Sequence, residues 1–214
     1  EILDVLGCGG FGTVLKARDT TLQRLVAIKV PGSEQAISHQ GRQRFLREAR
    51  AAAAVRHENV VVLFAVEEHP IPYLVMELVA GPTLEQEIRR ATVFTVSEIL
   101  RYGIQIADGL SAAHAQGLIH RDIKPSNILI EEPTGRIRIT DFGLARAVDD
   151  TSLTQANLIA GTPQYMSPEQ AEGKLIDKRS DLFSLGSVLY TLCTGQAPFQ
   201  ADSTLAVLRH VCDR

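Results

Sequence analysis

His120-Arg121-Asp122-Ile123-Lys124-Pro125-Ser126-Asn127, followed by the apolar run Ile128-Leu129-Ile130, is the stretch on which the reading of this chain turns. It sets an imidazole, a carboxylate, an ammonium and a carboxamide in one short loop ahead of a strand-like segment. Asp122 is suited to take a proton from a hydroxyl, Lys124 to hold an anion that forms beside it, and Asn127 to offer a carbonyl oxygen to a hard cation. Taken alone, the octapeptide reads more readily as a solvated turn with Pro125 and Ser126 at its corner. The rest of the chain decides between the two.

Downstream, Arg136 to Thr140 alternates like a strand and delivers Asp141-Phe142-Gly143. A carboxylate at a strand end, beside a glycine that lets the chain turn, can face Asn127 and share a Mg²⁺ ion with it, although Asp-x-Gly alone is a common turn. Leu144 to Ile159 is polar and aperiodic and reads as a mobile loop, closed by Gly161-Thr162-Pro163 and Ser167-Pro168-Glu169. An almost wholly apolar helix is expected over Asp181 to Cys193, running through a core, and Leu205, Leu208 and Val211/Cys212 recur at helical spacing. Upstream, Thr95 with Glu98 reads as a capping box that opens a helix to about Gln116, with Ile99, Ile106, Leu110 and Ala113 inward and Gly117 past its end. Thr83 with Gln86 predicts a shorter helix, and Gly81-Pro82 breaks the chain before it.

The N-terminal third changes period from 3.6 to two. Gly7-Cys8-Gly9-Gly10-Phe11-Gly12-Thr13-Val14 has glycines spaced so that backbone N–H groups can approach phosphate oxygens. A dinucleotide fold needs a helix straight after such glycines, whereas Thr13 to Ala17 is β-like, so the glycines are expected to join two strands of a hairpin. A third strand, Leu25 to Val30, carries Lys29 among apolar residues, where burial requires an anion unless the side chain snorkels from an edge. Glu48, flanking the apolar stripe of a helix expected over about Gln43 to Val55, is the candidate partner. Val60 to Val66 and Tyr73 to Leu78 read as two further strands. The expected fold is therefore α+β and two-lobed, with residues 1–78 mainly strand plus one helix, a hinge at 79–81, and a mainly helical lobe over 82–214.

Composition narrows the function classes. With 45% hydrophobic and 22% charged residues and a formal charge of −3, the 214-residue chain has the balance of a soluble globular protein and no basic excess for nucleic acid. Cys8, Cys193 and Cys212 are odd in number and scattered, which supports neither a disulfide framework nor a zinc cluster and favours a reducing, cytoplasmic setting. No signal peptide is visible, and apolar runs stop short of the ~20 residues that span a bilayer. Both ends read as cut, which leaves room for a membrane anchor or sensor outside residues 1–214.

Read in order, the glycine loop (Gly7, Gly9, Gly12, Val14), Val26-Ala27-Ile28-Lys29, His120 to Asn127, Asp141-Phe142-Gly143 and Ser167-Pro168-Glu169 resemble the catalytic domain of eukaryotic-type (Hanks-type) protein kinases. Only the first residue of the last motif departs from the family's Ala-Pro-Glu. The resemblance covers essentially the whole chain and implies ATP and Mg²⁺ as cofactors. It implies that Lys29 binds the α- and β-phosphates and pairs with Glu48, that Asp141 and Asn127 hold the metal, that Asp122 orients the substrate hydroxyl, and that Lys124 stabilises the γ-phosphate. It places Leu6, Gly7, Cys8, Gly9, Gly10, Phe11 and Gly12 over the nucleotide, Val14, Ala27 and Leu129 around adenine, Glu77 and Val79 at its edge through their backbone, and Met76 as the gate to a pocket behind.

Lys124 two residues after Asp122, with Thr162 before Ser167-Pro168-Glu169, resembles the serine/threonine branch, and Ser167 to Ala171 with the short Pro70 to Pro72 connection is similar to its bacterial members. Protein substrates are implied, including a second copy of the chain. Arg121 is expected to receive a phosphate from the mobile loop, Thr154 first, with Thr151 and Ser152 behind it. The resemblance also implies an arginine partner for Glu169 and two helices beyond Arg214. Cys8 reads as a tolerated small residue ahead of a reactive thiol. Two rival readings are a kinase-shaped module that binds nucleotide or a partner without transferring phosphate, and a small-molecule phosphotransferase. The intact Lys29, Asp122, Asn127 and Asp141 weigh against the first, and the long segment up to Ser167-Pro168-Glu169 against the second.

Overall fold

The computed structural model describes residues 1–9, 12–32, 39–90, 93–142 and 163–213. Gly10, Phe11, Gly143, Thr151, Ser152, Thr154 and Thr162 lie outside the described residues.

The period-two segments form a five-stranded antiparallel sheet in the order β1-β2-β3-β5-β4. Its strands are β1 (Ile2–Gly9), β2 (Gly12–Asp19), β3 (Arg24–Val30), β4 (Leu63–Glu67) and β5 (Tyr73–Glu77). β1 and β2 make the hairpin expected around the glycines, with Gly9 opposite Gly12. Ala27 and Lys29 on β3 stand opposite Met76 and Leu74 on β5. All four are buried, because alternate side chains share one face and this face turns away from solvent. α1 (His39–Ala54) starts earlier than the expected Gln43 and packs Phe45 and Ala49 against Leu74 beneath the sheet.

The strand expected from Val60 begins only at Leu63. The reason lies in the second lobe, where Val61 N–H donates to the Ile139 carbonyl (2.9 Å) and Ile139 N–H to the Asn59 carbonyl (2.8 Å). Residues 59–61 thus spend their backbone groups on the other lobe and join the two.

The second lobe contains α2 (Leu84–Arg90), α3 (Val96–Ala115), a 3₁₀ turn (Pro125–Asn127), β6 (Ile128–Glu131), β7 (Arg136–Ile139), α4 (Pro168–Ala171), α5 (Lys178–Thr194) and α6 (Thr204–Asp213). α3 opens with the Thr95/Glu98 capping box and buries Tyr102, Ile106, Leu110 and Ala113, while Ile99 is only partly covered. α5 departs from the expected all-round burial. Leu182 and Tyr190 are about half exposed, and its buried face carries Ser180, Asp181, Ser184, Ser187 and Thr191. Three of the hydroxyls bond back one turn: Ser184 to the Ser180 carbonyl, Ser187 to Phe183 and Thr191 to Ser187, so that they sit in a core without an unmet donor.

Between the lobes, Glu132 N–H donates to the Ala80 carbonyl and Ile130 N–H to the Pro82 carbonyl, both at 2.9 Å. This pairing draws the connecting segment so close to β6 that a Cβ on Gly81 (φ +133°) would stand 2.0 Å from the Ile130 carbonyl oxygen. Among the described residues, no helix is long and apolar enough to cross a membrane.

Candidate active site

The loop before β6 is built by backbone bonds to a carboxylate in the core. Asp181, fully buried near the start of α5, accepts from the backbone N–H of His120 and of Arg121 at 2.8 Å each, and its Oδ2 lies 2.7 Å from His114 Nε2. Arg121 thereby sits at φ +68°, a conformation that a side chain rarely adopts without such support. Its carbonyl accepts from Gln170 Nε2 (2.7 Å), whose Oε1 in turn receives the Ser167 N–H (3.0 Å). Neither Asp181 nor Gln170 stood out in the sequence as part of the site. The signal available was a charged residue at the head of an otherwise core-forming helix, which burial without a partner would forbid.

Held this way, the polar side chains converge. Asp122 Oδ2 is 2.8 Å from Lys124 Nζ, and Asn127 Nδ2 donates to both the Asp122 carbonyl (2.8 Å) and Oδ2 (3.0 Å). Asn127 is therefore oriented with its amide nitrogen on Asp122. Across from it, the strand end carrying Asp141 is tied in by Thr140 N–H to the Asn127 carbonyl (3.0 Å) and by His120 Nε2 against the Thr140 carbonyl (2.9 Å). Phe142 is buried against the His120 ring, centroids 4.6 Å apart. Asp141 takes a left-handed backbone (φ +66°) and points its Oδ2 at Lys29 Nζ, 2.9 Å away. Burial pushes the Asp141 pKa up, but the Lys29 ammonium, helped by His120 and Lys124, more than offsets it and holds the carboxyl below its ordinary 3.8.

The expected Lys29–Glu48 pair is not the one formed. Lys29 is paired with Asp141, and Glu48 Oε1 instead stands 3.5 Å from Arg121 NH1. α1 brings Glu48 to the Arg121 guanidinium, and the Asp141 carboxylate is the one that meets Lys29.

Above these groups lies a cleft of about 410 Å³. Of the residues expected around a nucleotide, Leu6, Gly7, Val14, Ala27, Met76, Glu77, Val79, Leu129 and Asp141 line it, joined by Val61, Thr83, Gln86, Ser126 and Thr140, which the sequence reading missed. Cys8, Gly9, Gly12, Lys29 and Glu48 do not line it. Cys8 is exposed, its sulfur 3.7 Å from Thr13 Oγ1. Met76 also borders a small cavity of about 30 Å³, with Leu74 and Phe142. Glu169 accepts a hydrogen bond from Ser180 Oγ, which with its neighbours outweighs burial and lowers its pKa.

A sheet lobe over a helical lobe, with a cleft lined by Asp141 and, beside that aspartate, Lys29 and the Asp122–Lys124–Asn127 cluster, defines the protein-kinase-like class. The family model described as "Protein kinase domain" matches residues 1–214, and the chain belongs to that family. Among curated relatives, it is 41% identical over 214 residues to a probable serine/threonine-protein kinase PknB of Corynebacterium glutamicum and 42% identical over 213 residues to the serine/threonine-protein kinase PknB of Mycobacterium leprae, covering 97% of this chain in each case. It is 41% identical over 213 residues to the serine/threonine-protein kinase PrkC of Bacillus subtilis, covering 99% of this chain. The chain spans about a third of the length of these relatives, 33% or 34% in each. Membership of the family implies use of ATP with a divalent metal.

Proposed function

We propose that this domain transfers the γ-phosphate of ATP to serine and threonine hydroxyls of proteins. The observation that carries the reading is the Asp122–Lys124–Asn127 cluster, fixed beside a Lys29–Asp141 pair whose aspartate lines the interlobe cleft. Asp122, already held by an ammonium and an amide, accepts the proton of the incoming hydroxyl, and Lys124 moves from Asp122 to the phosphoryl oxygens as that carboxylate is engaged. Lys29 holds the inner phosphates. Glu77 and Val79 present backbone groups to adenine between Ala27 and Leu129. The lobes join at 79–81 in this reading, with 1–78 above and 82–214 below.

The donor set suits Mg²⁺. Asn127 turns its amide nitrogen to Asp122 and leaves a carbonyl oxygen for a hard cation, and Asp141 is kept ionised by Lys29. Asp141 and Asn127 would hold the ion together with the nucleotide phosphates, the small set of oxygen donors that Mg²⁺, which keeps several waters, takes from a protein. When bound, the metal neutralises charge on the transferred group.

A phosphate on the segment before Thr162 would compete with Glu48 for Arg121. Autophosphorylation in the segment before Thr162, at Thr154 first, draws Arg121 away and frees Glu48 for Lys29. Mass spectrometry after incubation with ATP tests this, and phosphate confined to sites outside 151–162 removes it. A cytoplasmic setting fits the substrate, ATP. The central test compares labelled phosphate transfer to a generic protein substrate by the complete protein and by Asp122→Asn. A loss of at least about 100-fold is expected. Equal rates with nucleotide still bound would instead support the non-catalytic module.

A further inference from the structure

Arg138 has no role in the chemistry above, yet it is 6% exposed on β7. A guanidinium is costly to bury unless carboxylates and carbonyls receive its protons. Here the receivers come from three separate segments. Its NH2 reaches Glu77, the last residue of β5, in a very close contact, and the Val60 carbonyl at 3.3 Å, while NH1 donates to Glu131 at the end of β6 (3.2 Å). Glu77 Oε2 also accepts the Val62 N–H (3.2 Å), and the Glu77 N–H donates to the Val62 carbonyl (2.9 Å). One cation therefore fastens the residue at which the sheet becomes the hinge, from the side of the second lobe. Across the β6–β7 ladder, Arg138 stands opposite Leu129, the floor of the cleft, and Glu77 itself lines that cleft.

We propose that Arg138 is a positioning residue for the nucleotide: it holds the Glu77–Val79 backbone in the one arrangement that receives the adenine edge. This rests on the reading of the cleft as the ATP site. Without Arg138, Glu77 and Glu131 keep like charges and lose the cation between them. The hinge then spends most of its time in other arrangements, and affinity falls by the fraction of molecules still competent.

The experiment measures ATP binding and steady-state kinetics on the complete protein and on Arg138→Met, Arg138→Lys and Glu77→Gln. Arg138→Met is expected to weaken ATP binding and raise KM for ATP about tenfold, with kcat at saturating ATP falling by a smaller factor. Arg138→Lys recovers part of the loss, because an ammonium keeps the charge but lacks the fork that spans two carboxylates. Glu77→Gln gives a smaller rise, and adding it to Arg138→Met does no further harm, since both act through one contact. A merely stabilising arginine would lower the melting temperature and leave KM for ATP untouched, and that result overturns the inference. If Arg138→Met fails to fold, an unchanged KM in Glu77→Gln overturns it equally. A wild-type protein that binds no ATP would take down the site reading, and this inference with it.

Discussion

Asp141 carries opposing demands at the scale of a single residue, partly buried and yet charged. Its carboxyl titrates below 3.8 in the folded protein, because Lys29 offsets the penalty of burial. The sign follows from that depression: the stabilisation is complete above the unfolded value and is lost as pH falls through the lower, folded one. Asp141→Asn should therefore melt below wild type by a constant margin between about pH 7 and 5, and the margin should narrow below about pH 4. A margin that stays constant down to the acid unfolding of both proteins would contradict the pairing. Gly81 is constrained by space and by angle. At φ +133°, with a carbonyl oxygen 2.0 Å from any added Cβ, Gly81→Ala should lose about 3 kcal/mol in urea titration. Asp122, Lys124, Asn127 and Asp141 could be proposed as a set because five separated motifs occur in the order that the kinase family implies, although each stretch alone reads as an ordinary turn. Asp181 and Arg138 could not, since a lone charge in a sequence does not say whether it is buried.

Elements tell a parallel story. α3 was readable nearly to the residue, because its capping box and its inward stripe are local features that no distant contact had to supply. α4, four residues long, is held otherwise. Gln170, 2% exposed, closes the cap on Ser167 and also reaches the Arg121 carbonyl, so the short helix and the catalytic loop share one side chain. Gln170→Leu strands both of those backbone groups in the interior and should lower stability by about 2 kcal/mol. Its kcat should fall as well, which separates a loop displaced from a helix merely weakened. β4 went the other way: the apolar run from Val60 looked like continuous strand, but pairing of residues 59–61 with β7 delays its start to Leu63. Strand limits depend on which partner is present, and the sequence does not name the partner.

At the scale of the whole molecule, the relation between the lobes decides what the site is ready to do. Glu48 on the first lobe is held by Arg121 of the second, and Lys29 is held by Asp141. Phosphate transfer in the proposed mechanism requires these partners to be exchanged. Glu48→Gln removes both the present pair and the future one, and kcat should drop about 10-fold or more while the protein stays folded, as read by circular dichroism. An unchanged kcat would mean that Glu48 takes no part. The sequence by itself determined the α+β two-lobed fold and the family, because these rest on local periodicity and on five motifs in one order. Tertiary structure alone decided which carboxylate faces which cation. Ion pairs form by distance, and the distances among Lys29, Glu48, Arg121, Asp141 and Arg138 are set by how one lobe rests on the other.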